Sequence, residues 1–121
     1  MLLNIGNLAL DHDDFDGARH YFEQALAMSR HLGLLADEAL ALVHLARTAL
    51  AMRDPERAMI RCDEALAIRR DLSDDAGAAE VLVLLGRARY ADGDAASART
   101  CWLRAMDIIR KLREPAERSS V

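Results

Sequence analysis

The sequence predicts an all-α fold: three helical hairpins, six antiparallel helices, stacked in one array. Three observations carry the prediction. The chain matches itself twice when slid by 40 residues, aligning Leu2, Leu42 and Leu82, then Asp14, Asp54 and Asp94, then Ala25, Ala65 and Ala105 without a slip of register. Within each unit, apolar residues recur at helical spacing. Ala and Leu abound, aromatic residues make up only 4% of the chain, and there are two prolines and no Gly/Ser-rich linker, a composition that favours helix over strand.

The first unit predicts helices over 1–12 and 15–32. Leu2, Leu3, Ile5, Leu8 and Leu10 crowd into the first of them. The join, H-D-D-F-D-G-A-R-H-Y-F-E from His12, reads at first as a calcium loop, with Asp14, Asp16, Gly17 and Glu23 at its third, fifth, sixth and twelfth places. Its first ligand is a histidine, and the other two units lack the pattern. Asp14 shares a column with Asp54, which precedes Pro55 and Glu56 as a helix cap should. Gly17 to Glu23 should then be helical, pointing Asp14 and Glu23 apart. The reading is a helix cap, and no metal site is expected.

The second unit predicts helices over 36–52 and 55–72. Leu42, Leu45, Ala46, Ala49 and Leu50 mark one apolar face, and Ala58, Cys62, Ala65, Leu66 and Leu72 the other. The third predicts 76–92 and 95–112, the last helix carrying Trp102, Leu103, Met106, Ile108, Ile109 and Leu112. A polar tail, 114–121, contains Pro115. The repeats run 1–34, 36–74 and 76–113 within a single domain, 1–121.

Bulk chemistry excludes several functions. A net charge of -4 without a basic stripe argues against nucleic-acid binding. The longest apolar stretch, from Ala39, is broken by His44, Arg47 and Thr48, so no membrane span is expected, and no basic amphipathic helix suggests a membrane surface. The N-terminus lacks the positive region of a signal peptide. Cys62 and Cys101 have no CxxC spacing and read as reduced, buried cysteines of a cytoplasmic protein. His12, His20, His31 and His44 are scattered, Ser29, Ser73 and Ser97 have no partner pattern, and no phosphate loop, dinucleotide fingerprint or nucleophile elbow occurs. Neither an enzyme nor a cofactor is expected.

The aligned columns resemble the tetratricopeptide repeat. Leu2-Ile5-Gly6, Leu42-Leu45-Ala46 and Leu82-Leu85-Gly86 fit its first helix. Ala18-Phe22-Ala25, Ala58-Cys62-Ala65 and Ala98-Trp102-Ala105 fit its second, with cysteine replacing one aromatic. Arg89 departs from the apolar or tyrosine preference at its column. The family's terminal proline is also missing, and H-L-G-L-L-A-D-E and D-L-S-D-D-A-G-A read as longer links between repeats. The long period is similar to kinesin light chains and to the C-terminal sensor arrays of bacterial signalling ATPases and transcriptional regulators. Lys111 is the sole lysine among many arginines, which favours a bacterial relative.

The resemblance implies a right-handed α-solenoid whose concave side binds a protein or peptide. Its groove positions map to Leu3, Asn7 and Leu10, to Val43, Arg47 and Leu50, and to Val83, Arg87 and Tyr90. Asn7 could hydrogen-bond a peptide backbone, Arg47 and Arg87 could grip carboxylates, and Val43, Val83 and Tyr90 would supply an apolar floor. An acidic or C-terminal peptide, or a partner's helix, would suit it. The alternative implied function is a sensor or regulatory fragment of a larger bacterial regulator. Repeat arrays need polar caps, yet Leu3 and Leu10 at one end and Met106, Ile109 and Leu112 at the other are apolar. The expectation is self-association through these terminal helices, most simply as a two-fold dimer, unless the chain is a slice of a longer regulator.

Overall fold

A computed structural model describes residues 1–114, so the predicted tail from Pro115 onward lies outside the described residues. Six α-helices follow in order: α1 Leu2–Asp11, α2 Phe15–Leu32, α3 Leu35–Ala51, α4 Pro55–Asp71, α5 Asp75–Ala91 and α6 Ala95–Leu112. Every helix end lies within one residue of the position its capping and periodicity predicted. Each helix packs on its neighbours in sequence, making three hairpins in one stack.

The turns obey one rule. A single residue in each has left-handed backbone: Asp13, Gly33, Arg53, Ser73 and Gly93, with φ between 55° and 87°. The next amide reaches back five residues, Asp14 to Ala9, Leu34 to Ser29, Asp54 to Ala49, Asp74 to Arg69 and Asp94 to Arg89, at 2.8 to 2.9 Å. This Schellman closure satisfies the carbonyls of the ending helix. The same residue then serves as N-cap of the helix that follows. Asp14, Asp54, Asp74 and Asp94 accept from Gly17, Arg57, Gly77 and Ser97 at 3.0, 3.1, 2.9 and 3.1 Å. Leu34 alone offers no side-chain cap.

These closures correct one expectation. The links between repeats are as short as the turns inside them, because α2 through α6 absorb the long period as helices of 17 or 18 residues. They also place Asp14 as the cap of α2 and put Gly17 to Glu23 on that helix, away from any loop.

Hairpins close by size matching. A Cβ added at Gly6 would overlap the Phe22 ring, and one at Gly86 would overlap the Trp102 indole. In the middle hairpin the same two columns hold Ala46 and Cys62, a larger residue facing a smaller one. Phe22, Leu42, Val43, Val81 and Leu82 are the large side chains sealed in the continuous core between hairpins.

Cys62 is sealed there too, and burial pushes its thiol from 9.0 up to about 12, helped by the nearby Asp63 carboxylate. A raised folded-state value means stability is complete below pH 9 and drains away between pH 9 and 12, as the unfolded chain ionises first. The slope due to Cys62 is at most about 1.4 kcal/mol per pH unit. Cys62→Ala should flatten it, which urea midpoints at pH 8 and pH 10 for both proteins will show.

α3 and α5 touch directly, whereas α4 meets α2 and α6 at most marginally through its backbone. The second and third hairpins therefore approach each other most closely on the side of α3 and α5.

Candidate functional site

The expected groove column is spaced by the repeat: Asn7 on α1, Arg47 on α3 and Arg87 on α5. Asn7 is half-buried and both arginines are exposed. Arg47 is engaged with Glu80 of α5 at 3.4 Å. This pair is solvent-exposed and contributes little to stability, but a carboxylate ligand would compete with Glu80 for it. Arg87 has no ion pair and no side-chain hydrogen bond among the described residues.

The apolar positions beside the ladder divide unevenly. Val83 and Tyr90 are exposed next to Arg87. Tyr90 leans on Trp102 with ring centroids 6.1 Å apart, and Trp102 donates its indole N–H to the Val83 carbonyl at 3.2 Å. Val43 corrects the expectation that it lines the groove. It is 1% exposed, sealed in the core where α2, α4 and α5 pack on α3. Leu50 is half-buried and packs against Ala49, Ala58 and Ala88, so it offers an edge more than a surface. The column is thus polar throughout, with exposed apolar neighbours beside it in the third hairpin.

His44, which sequence reasoning left unassigned, lies beneath the ladder. Its ring stacks on Phe22 at 4.9 Å and 16°. Burial pulls its pKa down, Arg47 pulls it further, and Glu80 opposes them. The imidazole is neutral at pH 7, and its Nδ1 is buried without a partner among the described residues. Arg89, the departure from the repeat pattern, likewise carries a buried, unpartnered Nε. It stands close to Asp94, whose carboxyl is held below its usual range by Ser97 first and by Arg89 least.

The terminal positions also sort out. Leu3 and Leu10 are half-buried against the core, contrary to their expected role at an open end. The exposed apolar residues of α1 are Ile5 and Leu8, which lie on the outward face of that helix. Met106, Ile109 and Leu112 are exposed on α6. Leu112, however, has equally exposed equivalents in Leu32 and Leu72, so its exposure belongs to every repeat and does not mark an end.

Two grooves accompany these faces. One of about 580 Å³ is bounded by Met1, Leu2, Leu3, Met28, Leu32 and Leu34, among others. The second, of about 280 Å³, is lined by Met106, Ile109, Arg110 and Arg113. Among the described residues no three His, Cys, Asp or Glu side chains gather as metal ligands, and no helix is long and apolar enough to cross a membrane.

A family model described as tetratricopeptide repeat matches residues 1–33. Over 100 residues the chain is 28% identical to "Regulatory protein AfsR" of Streptomyces griseus, a match spanning 83% of this chain and 10% of that protein. The crystal structure of BtubC (BKLC) from P. vanneervenii superposes with a TM-score of 0.88 at 26% identity, covering 94% of this chain and 47% of that one. The chain thus spans a tenth of the regulatory relative and under half of the solved chain.

Proposed function

We propose that the chain, a three-hairpin helical array similar to tetratricopeptide-repeat proteins, is a non-catalytic module binding a short acidic segment of a partner protein along its concave side. The observation that carries this reading is Arg87: an exposed guanidinium without a carboxylate partner among the described residues, flanked by exposed Val83 and Tyr90. Arg47 extends the same charge along the ladder once Glu80 yields it, and Asn7 supplies an amide for backbone hydrogen bonds. A carboxylate held by a guanidinium gains a charge-assisted, often bidentate contact.

Fluorescence polarisation with labelled acidic octapeptides and their amide counterparts tests the reading. Acidic peptides should bind more tightly, and less so as salt rises. Arg87→Glu should weaken binding about tenfold or more, the equivalent of one lost charge-assisted contact. Glu80→Gln should strengthen it by releasing Arg47. Equal binding of acidic and amide peptides, or indifference to both substitutions, would sink the groove.

The similarity to a regulatory protein of Streptomyces griseus supports a setting for this module: a sensor or regulatory segment of a larger bacterial regulator in the cytoplasm. The other reading is a free-standing array that self-associates through its terminal helices. The exposed apolar residues Ile5 and Leu8 on α1, and Met106 and Ile109 on α6, support that step.

A further inference from the structure

Between the first two hairpins, the internal helices α2, α3 and α4 enclose a pocket of about 30 Å³ that shares no residue with the column of Asn7, Arg47 and Arg87. α3 supplies an apolar floor, the buried Leu45 and Ala49 with Met52 beside them. Thr48 also lines it, but its hydroxyl is engaged, donating to the His44 carbonyl at 2.9 Å. The walls are charged: Arg19 and Glu23 from α2, and Asp54, Arg57 and Arg61 from α4. Both acids are in use. Glu23 pairs with Arg61 at 3.3 Å, and Asp54 caps α4 through the Arg57 amide at 3.1 Å. The bases are spent unequally. Arg61 also reaches Glu64 at 3.4 Å, and Arg19 holds Asp16 through one Nη at 3.3 Å. The Arg57 guanidinium makes no hydrogen bond among the described residues, its Nε lying 3.7 Å from Asp54.

One period along, the corresponding place is filled from within the chain. Arg89 stands in the column of Ala49 with its Nε buried, and it lies close to Asp94, which stands in the column of Asp54. Arg19, Arg57 and Arg61 give way there to Met59, Ser97 and Cys101, while Asp63 and Asp94 keep the acids. A cation is thus matched by walls that hold acids and no arginine. Around Ala49 the floor stops at a methyl group and the arginines stand in the walls. The group that completes this arrangement has the opposite sign.

We propose that this pocket binds the carboxylate of a short aliphatic acid, its stem against Leu45, Ala49 and Met52 and its oxygens at Arg57 and Arg19. The volume suits such a stem, with room for about two water-sized groups. At the walls the carboxylate takes the unused fork of Arg57 and competes only with an exposed, weak pair for Arg19. A phosphate monoester, bulkier and doubly charged, would crowd Glu23 and Asp54. The same chemistry has two sources: a free acid such as propionate, or a glutamate side chain of a partner protein.

Amide NMR shifts of the 121-residue chain, titrated with sodium propionate at constant ionic strength, test this. The amides of Thr48, Ala49, Asp54 and Arg57 should shift and saturate, and the uncharged isostere propionamide should move none of them. Arg57→Gln should weaken propionate binding about tenfold and Arg19→Gln about threefold, with unchanged helix content because both side chains reach solvent. Arg87→Glu should leave propionate binding unchanged, so this pocket and the groove proposed above stand or fall separately. A blocked tripeptide with glutamate between two glycines decides the source. If it binds the same amides more tightly than propionate, the occupant is a partner's side chain; if propionate binds more tightly, it is a free acid. Shifts that never saturate, equal shifts with propionamide, or binding indifferent to both arginine substitutions would overturn the proposal.

Discussion

Phe22→Ala should be the costliest truncation in its column, lowering stability by about 3–5 kcal/mol, the range for emptying a buried aromatic site. The ring is completely buried, stacks on His44 at 4.9 Å and occupies the space that Gly6 leaves open. Glycine cannot grow to fill the void, and α1 could settle into it only by pulling away from its other contacts. The same column holds Cys62 and Trp102, which makes the prediction an ordering. Trp102→Ala removes a larger side chain and its bond to the Val83 carbonyl, but the indole is half-exposed, so the loss should be smaller. Cys62→Ala removes only a sulfur and should cost least, about 1 kcal/mol. Phe22 also joins the first hairpin to the second through His44, so its loss should let the first hairpin melt ahead of the others and reduce the urea m-value. Equal costs for Phe22→Ala and Trp102→Ala would mean that burial does not set the scale.

The helices were legible because each boundary is written locally. Asp14, Asp54 and Asp94 announce caps in one column, and leucine and alanine keep helical spacing between them. The turns were harder to read. Only Gly33 and Gly93 advertise left-handed backbone, while Asp13, Arg53 and Ser73 adopt it at the same places in the stack, a conformation that costs such residues roughly 1–2 kcal/mol and which the surrounding Schellman bonds sustain. Without that signal, the links between repeats read as long when they are short, and Asp74 escaped notice as a cap. The groove ladder was legible as a column, but its chemistry was not. That Arg47 meets Glu80 depends on the angle between α3 and α5. That Val43 is sealed while Val83 is exposed depends on how many helices lie on either side. Residues in one column share a register, and their environments diverge toward the ends of the array.

Asp74→Ala should cost about 2–4 kcal/mol, more than removing the equivalent cap at Asp54, because Asp74 holds two things at once. One carboxylate oxygen accepts the Gly77 N–H at 2.9 Å and starts α5. The other accepts from Arg69 Nη1 at 2.9 Å, and that arginine side chain is only 14% exposed, with its Nε already unpartnered. Losing a cap alone costs about 1 kcal/mol. Losing the anion also strands a largely buried guanidinium, which costs a further 1–3 kcal/mol. Space enforces the arrangement as well: a Cβ at Gly77 would collide with both Asp74 and Arg69. Asp74→Ser should keep the cap, lose the charge and fall between the two. Arg69→Met combined with Asp74→Ala should cost less than the sum of the single changes, since the stranded cation is gone. The pH dependence has a definite sign. The Gly77 amide first, and Arg69 next, hold the Asp74 carboxyl below the ordinary aspartate value of 3.8, so its contribution is present above that value and is lost as pH falls through the lower, folded one. Urea midpoints of the parent and Asp74→Ala should therefore differ most at neutral pH and draw together in acid. A gap that persists undiminished at low pH would assign the loss to packing and not to the carboxylate.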